Sequence, residues 1–266
     1  MRSSSNVKKL YLLVIIGFLI SQIPASAQNK IRLISGWEYL KGDLGGVWEA
    51  VRPFKAGDPE SVPLWEKIRL PHCFNATDAV DPDVSYYQGP GWYRNRLVIK
   101  NPYPKGRTLL HFEGAGQKTR AYIYTTLVGS HTGGYDEFTF DITDAVNQFS
   151  KNKAYKEQYG ETIPLSIRCD NSRDLEMIPS NLSDFNVYGG LYRYLNLVYV
   201  PSFSIERLFV NAVTETDYKN GKITVTAILS DKLSTKNGTI RIKIYNTNRN
   251  RKCISTTTTI RFKPFY

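Results

Sequence analysis

Acidic residues in two loops are the first candidates for chemistry in this chain of 266 residues. The two groups are Asp78, Asp81 and Asp83, and Asp170, Asp174 and Asp184. Hydrolysis of a glycosidic bond needs two carboxylates that flank the bond, about 5–10 Å apart. Spacing along the sequence does not show that any two of these aspartates converge, and acids in loops are usually surface residues. We therefore expect no catalytic pair within the chain.

Residues that bind metals or cofactors show no recognisable pattern. His72, His111 and His131 are far apart and form no HExxH or HxH motif, so a zinc site is not expected. The sequence also lacks a GxSxG elbow, a GxxxxGK[ST] phosphate loop and a GxGxxG motif after a strand. We expect no metal and no cofactor.

Cys73, Cys169 and Cys253 are the three cysteines of the chain, and they cannot all pair with one another. No CxxC spacing indicates a metal or redox site, so a buried thiol is the default for each. A Cys73–Cys169 disulfide remains an alternative in an oxidising compartment, and nothing in the sequence selects it.

The first 27 residues have the pattern of a signal peptide. Arg2, Lys8 and Lys9 form a positive start, residues 10–20 are apolar apart from Gly17, and Ala25-Ser26-Ala27 provides small residues for cleavage. The apolar stretch is too short for a membrane span, which takes about 20 residues. We expect export to the periplasm or the cell exterior, with no membrane attachment after cleavage.

The positive charge of the chain is spread thinly. The formal net charge is +11, and cleavage of the leader would leave 32 basic against 24 acidic residues, a charge of +8. The densest basic run, residues 249–252, is short. A solvated surface is therefore a better interpretation than a nucleic-acid site, and we expect no nucleic-acid partner.

Short runs of β-branched and aromatic residues, separated by turn residues, recur along the chain. They are residues 92–99, 108–112, 120–126, 137–142, 162–168 and 191–200. This spacing predicts an all-β sandwich. Helical patterns are limited to residues 143–149, behind a cap at Asp141 or Thr143, and to residues 153–159.

Pro201 marks the predicted boundary between a first domain, residues 28–200, and a second, residues 201–266. Four more strand-like runs follow it: residues 205–210, 222–229, 239–245 and 254–262. An immunoglobulin-like sandwich has about seven strands over about 100 residues. We therefore expect the second unit to be an incomplete immunoglobulin-like domain.

Four segments, in the same order, resemble glycoside hydrolases of family 2. They are WEKIRLPHCF (65–74, followed by Asn75 and Asp78), GPGWYRNRLVI (89–99), RAYIYTTLVGSHTGGYDEFTFDIT (120–143) and IRCDNSRDLEMIPSNLSDFNVYGGLYRYLNLV (167–198). Each segment alone is a modest match, but their order makes the resemblance specific. It covers essentially one domain, residues 37–200.

The resemblance implies a domain order as well as an activity. Members of the family, such as β-galactosidases, β-glucuronidases and β-mannosidases, have a jelly-roll sugar-binding domain, an immunoglobulin-like sandwich and a TIM barrel with both catalytic glutamates. The chain matches the first domain and the start of the second, so we expect a non-catalytic N-terminal portion with a weak or incomplete carbohydrate site. Two alternatives are a stand-alone carbohydrate-binding module, which should expose aromatic side chains on a sandwich face, and a subunit whose catalytic barrel is a separate polypeptide.

The same resemblance singles out Asp184 as a substrate-binding residue of a complete enzyme. In β-galactosidases of the family, the aspartate six residues before the second glycine of the Gly-Gly pair reaches the barrel pocket and contacts the terminal sugar or a sodium ion. Asp184 has this spacing to Gly190.

Other residues of the matching segments have plain structural interpretations. Trp92 and Tyr93 are interpreted as core and edge aromatics rather than a sugar platform, and Arg193 as a member of a structural ion pair rather than a ligand contact. Gly189-Gly190 should give backbone freedom at a bend before the last strand of the domain.

The chain departs from the family pattern at two further points. Thr125-Thr126 stands where the family usually has Asn-Gly, so that hairpin must turn without its favoured residues. Tyr194 replaces the usual aspartate after Arg193.

Export should remove residues 1–27, because the basic start, the short apolar core and the small residues before Gln28 are what a signal peptidase requires. Intact-mass analysis of the exported protein should therefore place its N-terminus at Gln28. A mature protein that retains residues 10–20 would contradict the prediction.

Overall fold

The computed structural model of the chain describes residues 29–52, 65–178, 180, 186–214, 216, 221–230, 238–242 and 258–262, the last two ranges as backbone only. Within these ranges the structure is mostly β-strand, with three short helices. No helix among the described residues has the length and apolar character needed to cross a membrane.

Two antiparallel sheets form a β-sandwich between residues 30 and 200. Its strands are β1 (Lys30–Arg32), β2 (Trp37–Lys41), β3 (Glu66–Ile68), β4 (Pro90–Leu97), β5 (Arg107–Phe112), β6 (Lys118–Ile123), β7 (Thr126–Thr132), β8 (Phe138–Asp141), β9 (Ile163–Asp170) and β10 (Leu195–Val200). One sheet has the order β1-β10-β5-β8 and the other the order β3-β2-β4-β9-β6-β7. The predicted all-β sandwich is confirmed.

The burial of each strand follows its place in the sandwich. Along β5, buried residues alternate with partly exposed ones, as expected where one face packs on the core. In β9, the six residues 163–167 and 169 are buried, because this central strand is covered on both faces. Trp37, Trp92, Tyr93 and Phe112 are among the largest fully buried side chains, and burial of such a side chain contributes about 1.5–3 kcal/mol.

Three helices lie outside the sheets: α1 (Val47–Val51), α2 (Thr143–Lys151) and α3 (Lys153–Tyr159). The α2 helix starts where predicted, and the Asp141 carboxylate accepts a hydrogen bond from the Thr143 backbone N–H at 3.0 Å. The Asn152 side chain caps α3 by accepting from the N–H groups of Ala154 and Tyr155. The α1 helix is a feature that the sequence pattern did not predict.

The hairpin of β6 and β7 turns one residue earlier than expected. Ile123 pairs with Thr126, so the turn residues are Tyr124 and Thr125 rather than Thr125 and Thr126. Tyr124 has a φ of 54°, in the left-handed region that a non-glycine residue rarely adopts. Its ring packs against four aromatic rings, those of Trp48, Phe149, Tyr155 and Tyr159.

The last strand of the sandwich is shorter than predicted. The apolar pattern predicted a strand over residues 191–200, but β10 begins at Leu195. Residues 190 and 191 are instead bonded to Gly116 and His72, outside the four-stranded sheet. The sequence pattern also failed to predict four other strands: the very short strands β1 and β3, and the strands β2 and β7. None of them has an extended alternating apolar run.

Four strands follow Pro201, as predicted: β11 (Ile205–Thr214), β12 (Gly221–Leu229), β13 (Gly238–Ile242) and β14 (Thr258–Phe262). They form two hairpins, β11-β12 and β13-β14. One face of the first hairpin carries Leu208 opposite Ala227 and Val210 opposite Val225, and Leu208 and Val210 are more than half exposed. The assignment of residues 201–266 to an incomplete immunoglobulin-like domain remains a prediction.

Hydrogen exchange should separate the sandwich from the first hairpin. Amides of β4 and β9 are buried in the centre of a six-stranded sheet, so they should exchange only on global unfolding, whereas those of β11 and β12 should exchange through local opening. Mass spectrometry after deuterium labelling measures both in one sample. Equal protection of the two regions would mean that the hairpin is as stable as the sandwich.

Candidate functional site

Three chain segments meet at the end of the sandwich where β4 begins and β9 ends. Residues 72–74 lie on one side of residues 189–191, with hydrogen bonds from the His72 N–H to the Leu191 carbonyl (2.8 Å) and from the Phe74 N–H to the Gly189 carbonyl (3.1 Å). On the other side, Gly116 and Gly190 exchange two backbone hydrogen bonds, at 2.9 and 3.2 Å. The segment that follows the predicted site residue Asp184 is thus fixed from both sides.

Asn171, the residue after β9, uses its side chain to join the segment that contains Val187 to a further segment at this end, residues 87–89. Its amide nitrogen donates to the carbonyls of Tyr87 (3.1 Å) and Val187 (2.8 Å). Its amide oxygen accepts from the Gly89 N–H at 2.8 Å. The residue is 1% exposed, so these bonds are formed away from water, where a lost partner is costly.

Asn75, which directly follows residues 72–74, makes nearly the same connections. Its amide nitrogen donates to the same two carbonyls, those of Tyr87 (3.2 Å) and Val187 (3.0 Å). Its amide oxygen accepts from the Gly189 N–H at 2.9 Å and from the Cys73 thiol. We refer to Asn75 and Asn171 together as the asparagine clamp. Because a carbonyl oxygen has two lone pairs, both clamp residues can be satisfied at the same two acceptors.

Gly189 and Gly190 are required by close packing against the clamp region. A Cβ atom on Gly189 would lie 2.1 Å from Cζ of Phe74, and one on Gly190 would lie 2.3 Å from the Tyr93 hydroxyl oxygen. Gly190 also has a φ of 104°, which side chains disfavour. The predicted need for glycine at this bend is confirmed, and the close approach of the neighbouring rings is an additional reason for it.

Close to the clamp, burial disfavours the charged forms of several groups. His72 Nδ1 is 2.9 Å from the Tyr93 hydroxyl, and desolvation lowers the pKa of His72 and raises that of Tyr93 far above its usual value. Burial also raises the pKa of the Cys73 thiol and takes that of Cys169 to about 12. Both cysteines are free thiols, so the alternative Cys73–Cys169 disulfide is not formed; Cys253 lies outside the described residues.

The other aspartates of the two acidic groups have local structural partners. Asp78 accepts a hydrogen bond from the Tyr87 N–H at 2.9 Å. Asp170 forms an ion pair with Arg168 at 3.0 Å, and Asp174 forms one with Lys118. Asp81 accepts from the Asp83 N–H at 3.0 Å. Asp184 lies outside the described residues, so its role as a substrate-binding residue stays a prediction.

Trp92, Tyr93 and Arg193 all belong to the matching segments, and each has a defined environment in the structure. Trp92 and Tyr93 are both buried in the core on an inner strand, so neither is an edge aromatic and neither forms a sugar platform. Arg193 does not form the expected ion pair within the described part of the chain; its guanidinium donates to the backbone carbonyls of Glu113 (3.3 Å) and Tyr135 (3.1 Å). These carbonyls belong to the loops that follow β5 and β7, and they take the place of the expected carboxylate. Tyr194, which replaces the usual aspartate, lies under the guanidinium of Arg32.

No group of three or more histidine, cysteine, aspartate or glutamate residues in the described ranges is arranged to hold a metal ion. The asparagine clamp itself supplies neutral amides whose donors and acceptors are already bonded to the backbone. What this arrangement does is hold three segments in a fixed position at one end of the sandwich.

Comparison with known proteins gives the chain its relatives. No family model matches the sequence. The β-glucuronidase of Parabacteroides merdae superposes with a TM-score of 0.82 and 54% sequence identity over 89% of this chain. A β-glucuronidase of Bacteroides fragilis is 33% identical over 142 residues, 53% of this chain, and a β-galactosidase of Thermoanaerobacter pseudethanolicus is 26% identical over 212 residues, 79% of this chain.

The chain is a homologue of β-glucuronidases and β-galactosidases. The predicted resemblance to family 2 glycoside hydrolases is thereby confirmed at the level of homology. This hydrolase homologue spans 30% of the P. merdae chain, 19% of the B. fragilis protein and 26% of the T. pseudethanolicus protein. It corresponds to a part of such hydrolases.

The clamp was not predicted from the sequence. Asn75 and Asn171 both fall within or beside matching segments, LPHCF-Asn and Cys-Asp-Asn-Ser, but neither was assigned a role. An asparagine beside a strand end or within a loop usually indicates a turn. The backbone partners of Asn75 lie 12, 112 and 114 residues away, so no local pattern reveals them.

Replacement of Asn171 by alanine should destabilise the sandwich by about 2–5 kcal/mol, because it leaves the Gly89 N–H and part of two carbonyls without buried partners. Chemical denaturation monitored by tryptophan fluorescence measures the change. Asn186, which is exposed in the neighbouring segment, provides the control: Asn186→Ala should change stability by less than about 0.5 kcal/mol. Similar values for both variants would show that the clamp is not a stabilising feature.

Proposed function

We propose that this chain is the non-catalytic, sugar-binding N-terminal portion of an exported family 2 glycoside hydrolase that acts on β-glucuronides. The similarity to the P. merdae β-glucuronidase, 54% identical over 89% of the chain but spanning only 30% of that enzyme, carries the proposal. A segment of that size has room for the sandwich and the hairpins but not for a catalytic barrel, which takes about 250 residues.

In the complete enzyme, the sandwich contributes Asp184 to the wall of the substrate pocket. Val187, whose carbonyl is held by both clamp residues, follows Asp184 by three positions. Three residues of extended chain reach about 10 Å at most, so anchoring Val187 restricts where Asp184 can lie. A residue that contacts substrate needs this kind of support, because small displacements of a binding group weaken catalysis strongly.

The chemical step takes place on the barrel. Retaining glycosidases use one carboxylate as nucleophile and a second as acid and base. The residues of this chain have a different task, which is to hold and orient the sugar that the barrel cleaves. Asp184 would do so by accepting hydrogen bonds from sugar hydroxyl groups or by contributing to a cation that does.

A stand-alone carbohydrate-binding module is the weaker alternative. Such a module should present aromatic side chains on a sandwich face. On the six-stranded sheet Trp92 and Tyr93 are buried, and Tyr122 is partly buried and stacked on Trp92 with ring centroids 6.0 Å apart. This distribution favours the role of a domain within a larger hydrolase.

A chimera tests the proposal. Residues 28–200 would replace the matching part of the P. merdae β-glucuronidase, and turnover of a chromogenic β-glucuronide would be compared for the chimera and its Asp184→Asn variant. We expect a loss of at least about tenfold in kcat/KM, since hydrogen bonds to charged groups are worth about 1.5–3 kcal/mol, with an unchanged melting temperature.

The controls are Asp81→Asn in the same chimera, which should retain activity, and the isolated chain, which should show no turnover of β-glucuronides, β-galactosides or β-mannosides. Full activity of the Asp184→Asn chimera would refute the substrate contact. Turnover by the isolated chain that Asp184→Asn abolishes would place catalysis in the sandwich and refute the proposal as a whole.

A further inference from the structure

A cavity of about 610 Å³ lies on the outer face of the six-stranded sheet, bordered by α1 and by the end of α3. It is separate from the asparagine clamp. Arg96, which lines it, is seven residues along the chain from Gly89, roughly 20 Å at the rise of a β-strand. The volume of the cavity is within the range of about 300–1,000 Å³ that is typical of small-molecule sites.

Arg94, one of the arginines that line the cavity, is bonded to other residues of the cavity wall. Arg94 forms an ion pair with Glu38, Nε to Oε2, at 2.7 Å. Its guanidinium also lies over the ring of Trp65, 4.1 Å from the centroid, and donates to the Ala50 carbonyl at 3.3 Å. Arg94 therefore fixes α1 against the sheet and keeps one side of the cavity rigid.

Arg96 is positioned without being neutralised. Its guanidinium lies over the ring of Tyr159, 5.4 Å from the centroid, and the Tyr159 hydroxyl is fixed by donating to the Val51 carbonyl at 2.9 Å. No carboxylate pairs with Arg96 in the described part of the chain. A guanidinium is planar and presents its N–H donors in its own plane, where they suit the two oxygens of a carboxylate or sulfate.

Ser166 contributes a second donor that has no other use. It is fully buried, and its hydroxyl has no hydrogen-bond partner among the described residues. In the register of β4 and β9, Ser166 lies opposite Arg94 and Arg96 lies opposite Pro164, so Ser166 and Arg96 are diagonal neighbours on one face. A buried hydroxyl without a partner costs free energy, and a ligand in the cavity would remove that cost.

The charges around the cavity leave it positive. Three arginines line it, and two have carboxylate partners: Arg94 with Glu38 and Arg52 with Glu49, the latter at 2.8 Å. Among the described residues, the third arginine, Arg96, has no carboxylate partner, so its charge is left over. An anionic ligand would form an ion pair with that guanidinium, whereas a neutral ligand would not.

We propose that this cavity is a binding site for a small ligand with a carboxylate or sulfate group, held by the guanidinium of Arg96 and the hydroxyl of Ser166. Binding at this site does not depend on hydrolase activity, so the site can be tested independently of the function proposed above. Saccharides that carry either anionic group have the required chemistry and a size that suits the cavity.

Isothermal titration calorimetry of the mature chain at fixed ionic strength tests the site, with sodium glucuronate, sodium sulfate and glucose as probes. Binding of either anion without binding of glucose supports the proposal, and the anion that binds tells whether a carboxylate or a sulfate is preferred. The absence of binding by both anions, or equal binding of glucose, overturns it.

Two variants assign the residues. Arg96→Gln should weaken anion binding about tenfold or more, since each 1.4 kcal/mol is a factor of ten and a charged hydrogen bond exceeds that. Arg32→Gln is the matched control, because Arg32 is exposed and also lies over a tyrosine ring, that of Tyr194 at 3.9 Å, but on the other sheet. Equal loss in both variants would indicate non-specific attraction and refute the site.

Ser166→Ala separates a ligand-binding role from a structural one. Removal of an unpartnered buried hydroxyl should leave the melting temperature of the ligand-free chain unchanged or raised, while anion affinity falls several-fold. A lower melting temperature with unchanged affinity would show that Ser166 is a structural residue and remove it from the site.

Discussion

Two buried asparagine side chains hold together residues 72–75, 87–89 and 187–189 at one end of the sandwich, and the rest of that end depends on them. The acceptors and donors available there are two backbone carbonyls and two backbone N–H groups. An amide side chain offers both functions without a charge, so it can be buried at lower cost than a carboxylate or an ammonium group. With two such amides at the same carbonyls, the segment around Val187 has a single favourable position. The glycines at 189 and 190 then allow this segment to approach Phe74 and Tyr93 closely.

The opposite end of the sandwich is held by charge. Arg107, at the start of β5, pairs with Asp141 at 3.0 Å and with Glu206 of β11 at 2.7 Å, and only 14% of its side chain is exposed. Hydrogen bonds from Thr143 and the Arg107 guanidinium keep the pKa of Asp141 below its usual value despite the desolvation that opposes them. Because Glu206 lies beyond Pro201, this ion triad ties the first hairpin to the sandwich. The two ends of the sandwich are thus stabilised by different interactions. Neutral amides hold the loops at one end, and ion pairs hold the connection to the next strands at the other.

The sequence predicted the central strands well and the loop contacts poorly. β4, β5, β8 and β9 were recognised within two residues and β6 within three, because each has an apolar face that alternates or a continuous buried run. β1 and β3 have three residues each, too few for periodicity, and β7 contains Gly129, which no strand pattern favours. The start of β10 was placed too early because Leu191 is buried like a strand residue although its carbonyl is bonded to His72. The clamp and the cavity at Arg96 and Ser166 join residues that are distant in the chain, and only the register of the sheet brings them together.

The turn at Tyr124 has a consequence for protein engineering. A design that follows turn preferences would place the favoured Asn-Gly pair at the observed turn residues, Tyr124 and Thr125, because asparagine and glycine accept a positive φ with little strain. Here the residue with the positive φ is Tyr124. Its aromatic ring packs against Trp48 of α1, Phe149 of α2, and Tyr155 and Tyr159 of α3. Aromatic pairs of this kind contribute about 0.5–1.5 kcal/mol each beyond their buried area, which outweighs the relief of one strained residue. Replacement of Tyr124 would therefore be the wrong substitution at this hairpin, because this turn residue also attaches three helices to the sheet.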